Sequence, residues 1–240
     1  MPFFNAQDKI YLNKEECWRE NPRETFKFVI NKTYEEVKSI DRPDVVDVGC
    51  GNGDFLYYMK AQLHKKTSLY GIDYSEELLG LAKDKNPDVS FFKGNIYSGE
   101  GLPNRKFDIA YMLGLNSLFS EYEPWVNNLL KIIKETGIVY VFGPFNPSNL
   151  DVQVNVRQSG EKTYEASYFN TVSIKSIKLY LDAINCQYSF TNFNIPFCLP
   201  QKEDPLRAYT VELKNDVIQE MVGTQQLLHF YLLKIKRRDV

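Results

Sequence analysis

Ten residues constrain this chain more than any others: Val45-Val46-Asp47-Val48-Gly49-Cys50-Gly51-Asn52-Gly53-Asp54. The apolar run at its head reads as a strand buried on both faces. Glycines at alternate positions then impose a tight turn and let backbone approach whatever lies above it. Beyond the turn, Asp54 is placed to cap a helix whose Phe55, Leu56, Met59 and Leu63 fall at helical spacing. Strand, glycine turn and helix make a ligand-binding βα unit, and such units recur in parallel sheets.

The rest of the chain supplies the sheet. Further strands are expected at 67–72, 89–92, 107–113 and 138–142. Helices lie between them: one capped by Ser75, and one carrying Trp125, Val126, Leu129, Leu130 and Ile133 with Gly137 as its stop. Residues 1–43 read as an N-terminal helical cap, with one segment around Cys17 and Trp18. A second begins near Pro22 and carries Phe26, Val29, Ile30, Tyr34 and Val37 on one stripe. After residue 143 a polar stretch precedes a helix capped by Ser173 and two strands, at 188–197 and 227–235. The segment between those strands is too long for a hairpin turn and reads as an insertion with a function. The whole, 1–240, is expected to be one α/β domain: cap 1–43, ligand-binding core 44–143, and substrate-side insertions with the last strands at 144–240.

The nature of the ligand follows from what surrounds the glycines. The dinucleotide pattern GxGxxG needs glycine at position 54, where Asp54 would repel a pyrophosphate, and no Gly-Lys-Ser/Thr follows the turn. Asp47, inside the strand, needs a cationic or hydrogen-bonding partner, and a cationic ligand can supply it. Asp73, closing the second strand, is placed to take both hydroxyls of a ribose. A cationic nucleoside without phosphates satisfies all three, and S-adenosylmethionine (SAM) is one.

These residues also carry a resemblance. Asp47 to Gly53 resembles motif I, D/E-x-G-x-G-x-G, of class I SAM-dependent methyltransferases. Gly71-Ile72-Asp73-Tyr74-Ser75 resembles the ribose-binding motif, and Phe91-Phe92-Lys93-Gly94-Asn95-Ile96 the adenine-binding one. Phe107 to Gly114 resembles the fourth-strand motif beside the methionine portion. The resemblance implies a Rossmann-like seven-stranded sheet, order 3-2-1-4-5-7-6, helices on both faces, and the last strand antiparallel. It implies SAM as cofactor, held by Asp47, Gly49, Cys50, Gly51, Asp73, Tyr74, Asn95, Ile96, Leu113 and Gly114. Asn95 stands where the family usually has Asp, so its carbonyl would have to face the adenine amine. With its Gly143-Pro144-Phe145-Asn146-Pro147 loop and its Ile195-Pro196-Phe197 stretch, the second half of the chain is loosely similar to methyltransferases of bacterial capsule and lipopolysaccharide pathways.

The acceptor is less legible. Asn116, Asn146, Arg157, Arg207 and Tyr209, with Tyr164 and Tyr168, are the candidate substrate contacts. Arginines and tyrosines suit a sugar, phosphate or phosphoramidate oxygen. His229 is the candidate general base. Cys50 has no evident base beside it and reads as a packing residue. Aminopropyl transfer on the same fold would require an acidic amine pocket, which the sequence does not display. A SAM-binding protein without catalysis and an NAD-dependent oxidoreductase stay open as alternatives.

Composition narrows the classes. With 29 Lys and Arg against 31 Asp and Glu, the net charge of -2 argues against a general nucleic-acid partner. The four cysteines show no CxxC pair or metal-ligand spacing, and no apolar run reaches membrane-spanning length. Nothing near Met1 resembles a signal peptide. A reduced, cytoplasmic, metal-free enzyme acting on a small molecule is the expectation, with its oligomeric state open.

Overall fold

The computed structural model describes residues 21–64, 66–157, 159–160, 169–204 and 207–238. The expectations for Cys17, Trp18, Tyr164 and Tyr168 lie outside the described residues.

The main sheet has the order β3-β2-β1-β4-β5-β11-β7. Its parallel half is β1 (Asp44–Val48), β2 (Ser68–Asp73), β3 (Ser90–Lys93), β4 (Phe107–Leu113) and β5 (Ile133–Asn146). A two-residue strand, β6 (Val172–Ser173), pairs with the end of β5. On the far side of β5 stands β11 (Phe230–Arg237), antiparallel to both β5 and β7 (Cys186–Phe193). This is the seven-stranded order expected, with a short eighth strand added.

Successive β1 side chains point to opposite faces, and both faces are covered. Val45 joins a core with Phe26, Val29 and Ile30 of α1 (Glu24–Lys38) and Phe55, Leu56 and Met59 of α2 (Asp54–Gln62). Val46 and Val48 join the opposite core, built on Trp125, Val126 and Leu129 of α4 (Glu123–Ile132) and Ile177 and Leu181 of α5 (Ile174–Ala183). Between α2 and α4 in the chain, α3 (Glu76–Lys85) follows β2 and is capped by the Ser75 hydroxyl, as its sequence predicts. Ser173 caps α5 in the same way.

Three local expectations are corrected. Gly53, in the left-handed region at φ 79°, is the N-cap of α2; Asp54 is its first residue and pairs with Lys85 at 2.5 Å. An acid in a first turn favours the helix without capping it. Gly137 does not end α4, which stops at Ile132, because β5 starts at Ile133 and runs through the glycine. The strand expected at 227–235 is broken at His229 into β10 (Leu227–Leu228) and β11. Here β10 turns away to pair with β9 (Val217–Met221), which pairs in turn with β8 (Tyr209–Leu213). The insertion is therefore a second, three-stranded antiparallel sheet.

Candidate active site

Above the C-terminal ends of β1, β2 and β4 lies a cavity of about 440 Å³. Such ends are the usual ligand crevice of open α/β sheets, at the point where strand order reverses. Every residue assigned to SAM from the sequence lines it: Asp47, Gly49, Cys50, Gly51, Asp73, Tyr74, Asn95, Ile96, Leu113 and Gly114.

Local geometry explains the glycines. Gly49 and Gly51 have φ of 73° and 52°, where side chains are strained. A Cβ on Gly49 would fall 2.1 Å from Cδ1 of Leu115, itself part of the lining. The turn is tied to β2: the N–H groups of Gly49 and Cys50 donate to the Ile72 carbonyl at 2.7 and 3.0 Å. Asp73 closes the tie, its Oδ2 accepting from Gly51 N at 2.8 Å and its Oδ1 from Ser75 N at 2.9 Å.

Asp47 is the electrostatic centre of the cradle. It is 3% exposed, and no hydrogen bond or ion pair reaches its carboxylate among the described residues. Burial first, and then the charge of Asp73, push its pKa up to about 8. A buried carboxyl facing a cavity without a partner is the expected complement of a cationic ligand, so the residues present fit SAM. Beside it the Cys50 thiol is pushed well up by burial and by Asp47 and Asp73, which keeps it protonated and unreactive. The Asn95 side-chain carbonyl does not face the adenine position as expected: it accepts from Tyr97 N at 2.8 Å and Ser98 N at 3.2 Å, which takes up both its lone pairs in its own turn.

The acceptor candidates fare differently: none of those among the described residues lines the cavity. Asn116 is buried and donates to the Pro144 carbonyl at 2.8 Å, packed so tightly that a Cβ on Gly143 would sit 1.8 Å from its Oδ1. Asn146 spends both ends of its amide on its own turn, with Leu150 O and Ser148 N. Arg157 is exposed, and Arg207 pairs with Asp204 at 3.7 Å. The Tyr209 hydroxyl donates to the Met221 sulfur at 3.0 Å. His229 is held by its backbone carbonyl, which accepts from Phe145 N at 2.9 Å; burial lowers its pKa. These side chains serve turns, ion pairs and strand ends, which polar residues in long connections commonly do.

In their place the structure brings up residues that were not among those candidates. Phe193, Ile195, Phe197 and Leu199 all line the cavity, at every second position along the stretch that leaves β7. Phe142 of β5 and Phe230 of β11, stacked with centroids 5.7 Å apart, line it too. Glu220 of β9 enters the same cavity. The period-two alternation through 193–199 was a readable signal; Pro196 and Pro200 obscured it.

Residues 45–137 match the family described as a methyltransferase domain. A putative methyltransferase of Invertebrate iridescent virus 6 is 25% identical over 215 residues, covering 88% of this chain and 67% of that protein. A carboxy-S-adenosyl-L-methionine synthase of Campylobacter jejuni subsp. doylei is 28% identical over 110 residues. That match covers 35% of this chain and 46% of the synthase, so this chain spans about half the length of that relative. Among solved structures, a SAM-dependent methyltransferase of Clostridium acetobutylicum superposes with TM-score 0.60 at 12% identity. That superposition covers 98% of this chain and all of the other, and it speaks to the fold.

Fold, glycine turn and domain match agree on a SAM-dependent methyltransferase domain of class I at residues 45–137, with SAM as its cofactor. No described helix is long and apolar enough to cross a membrane. Among the described residues no group of three or more His, Cys, Asp or Glu is placed to hold a metal ion.

Proposed function

We propose that the protein methylates a small molecule with an apolar body, bound between the SAM cradle and the wall formed by residues 193–199. The supporting observation is that a single cavity is lined both by the motif residues and by Phe193, Ile195, Phe197 and Leu199. SAM, when bound, supplies an electrophilic methyl group on a positively charged sulfur. In this reading Asp47 provides the opposing charge and Asp73 takes the ribose hydroxyls. Asn95 and Ile96 flank the adenine, while Leu113 and Gly114 pass beside the methionine portion. The apolar wall excludes water and aligns the acceptor, the main requirement of an in-line transfer.

The finer expectation was a sugar, phosphate or phosphoramidate oxygen in surface-polysaccharide synthesis. It leaned on Arg157, Arg207 and Tyr209, none of which lines the cavity. The aromatic wall supports an acceptor with more apolar surface than a sugar phosphate presents.

Titration calorimetry with SAM, S-adenosylhomocysteine and NAD tests the cofactor map. Both sulfur nucleosides are expected to bind one per chain, and NAD not at all. Asp73→Ala should weaken SAM binding about tenfold or more, the loss of roughly 1.4 kcal/mol of hydrogen bonding to a charged group. Unchanged affinity in that variant would overturn the map.

A further inference from the structure

Arg23, Glu24, Asp54 and Glu220 also line the cavity; Glu24 and Asp54 are paired with Lys27 and Lys85, and Arg23 has a partner of its own, whereas Glu220 is not paired among the described residues. Glu220 lies on β9, opposite Thr210 of β8 and Leu228 of β10. By strand alternation it shares a face with Ile218 and with Val222, which is fully buried, as is Leu228. An acid therefore interrupts the inward, apolar side of the small sheet, at the point where that side meets the cavity. Phe193, Ile195, Phe197, Leu199 and Phe230 line the same space. No hydrogen bond or ion pair reaches the Glu220 carboxylate among the described residues. Burial alone pushes its pKa up to about 7.

A carboxylate in apolar surroundings is costly until a cation meets it. Phenylalanine faces favour a cation too, through their quadrupoles. Carboxylate and rings are jointly complemented by a protonated amine carried on an apolar body. A sugar hydroxyl would leave the charge uncompensated, and an anionic acceptor would be repelled.

We propose that Glu220 binds the acceptor and receives its proton, and that the acceptor is a small amine with an aromatic or alkyl body. The inference rests on the methyl-transfer reading above and specifies its substrate class. Glu220 pairs with the incoming ammonium and takes one proton from it. The freed nitrogen lone pair attacks the methyl carbon; the N–C bond forms as the C–S bond breaks, and its electron pair passes to sulfur. The products are S-adenosylhomocysteine and a methylated ammonium, and the proton on Glu220 passes to water. The site is then the acidic amine pocket that the sequence alone did not display.

The test is binding rather than turnover. Phenethylamine, 2-phenylethanol and 3-phenylpropionate present one ring with three head groups. Each is titrated into protein saturated with S-adenosylhomocysteine. The amine is expected to bind at least tenfold more tightly than the alcohol, and the acid not to bind. Glu220→Gln should reduce amine affinity at least tenfold and leave S-adenosylhomocysteine affinity unchanged. Equal binding of amine and alcohol, preference for the acid, binding of none of the three, or an unaffected Glu220→Gln variant would each overturn the proposal. Failure of the wild-type protein to bind S-adenosylhomocysteine would instead overturn the underlying reading. The three-probe comparison needs no variant, so a folding defect in Glu220→Gln does not spoil the test.

Discussion

At the scale of single residues, Asp47 makes the sharpest prediction. Its carboxyl pKa rises from 3.8 to about 8 on folding, through burial and then the charge of Asp73. Between those values the folded protein holds a proton that the unfolded chain has lost. Stability of the ligand-free protein should therefore fall as pH rises from about 4 to about 8. Thermal melts across that range check the sign, and Asp47→Asn should flatten the fall. A cationic ligand draws the pKa back down, so SAM binding at pH 7 should release a proton. Calorimetry in phosphate and in Tris would show it as a difference in apparent enthalpy, absent in Asp47→Asn. Gly49 yields a second expectation. Gly49→Ala places a methyl at φ 73° against Leu115, which should cost about 1 kcal/mol or more of stability and weaken SAM binding. Melting temperature and SAM titration measure both.

At the scale of elements, the contrast between the two halves of the site is one of locality. The cofactor half is legible in the sequence because each strand and its following turn carry their own signal: apolar run, glycine, acid. Asp47, Asp73 and Asn95 each sit at such a junction. The acceptor half depends on pairings between distant segments. Glu220 faces the cavity only because β9 lies between β8 and β10, and nothing near residue 220 announces that arrangement. Arg157, Arg207 and His229 looked functional by residue type, yet type does not tell whether a side chain in a long connection reaches the site. Position 197 carries a prediction at this scale. Phe197 is 44% exposed, a large ring turned toward the cavity instead of a packed core. Phe197→Ala should thus shift melting by little, far less than the 3–5 kcal/mol typical of buried aromatic truncation. It should raise KM for the acceptor with SAM affinity unchanged; equal loss of stability and SAM binding would contradict this role.

At the scale of the whole molecule, cofactor and fold are coupled, since the cradle is held by both β1 and β2. Ligand that binds only the folded protein stabilises it by RT ln(1 + [L]/Kd), about 2.7 kcal/mol at one hundred times Kd. Saturating SAM or S-adenosylhomocysteine should raise the melting temperature by several degrees, and NAD should leave it unmoved. The strand order itself was foreseeable from the alternation of strands and helices together with the motif resemblance. The small second sheet was not, because its strands are short and a long polar connection carries no period strong enough to separate strand from loop.

The place of β11 has a consequence for how the protein is made. This strand lies between β5 and β7 in space, yet it follows both in the chain. While the polypeptide is being synthesised, β5 presents an unpaired edge along its distal half, and β7 has no partner until β11 emerges from the ribosome. The wall at 193–199 hangs from β7, so the acceptor half of the site is assembled late, after the cofactor half is complete. A chain stopped at residue 223 should bind SAM weakly, if it stays in solution. It should also aggregate more readily than the full chain, because the edge that β11 covers is left open to other copies.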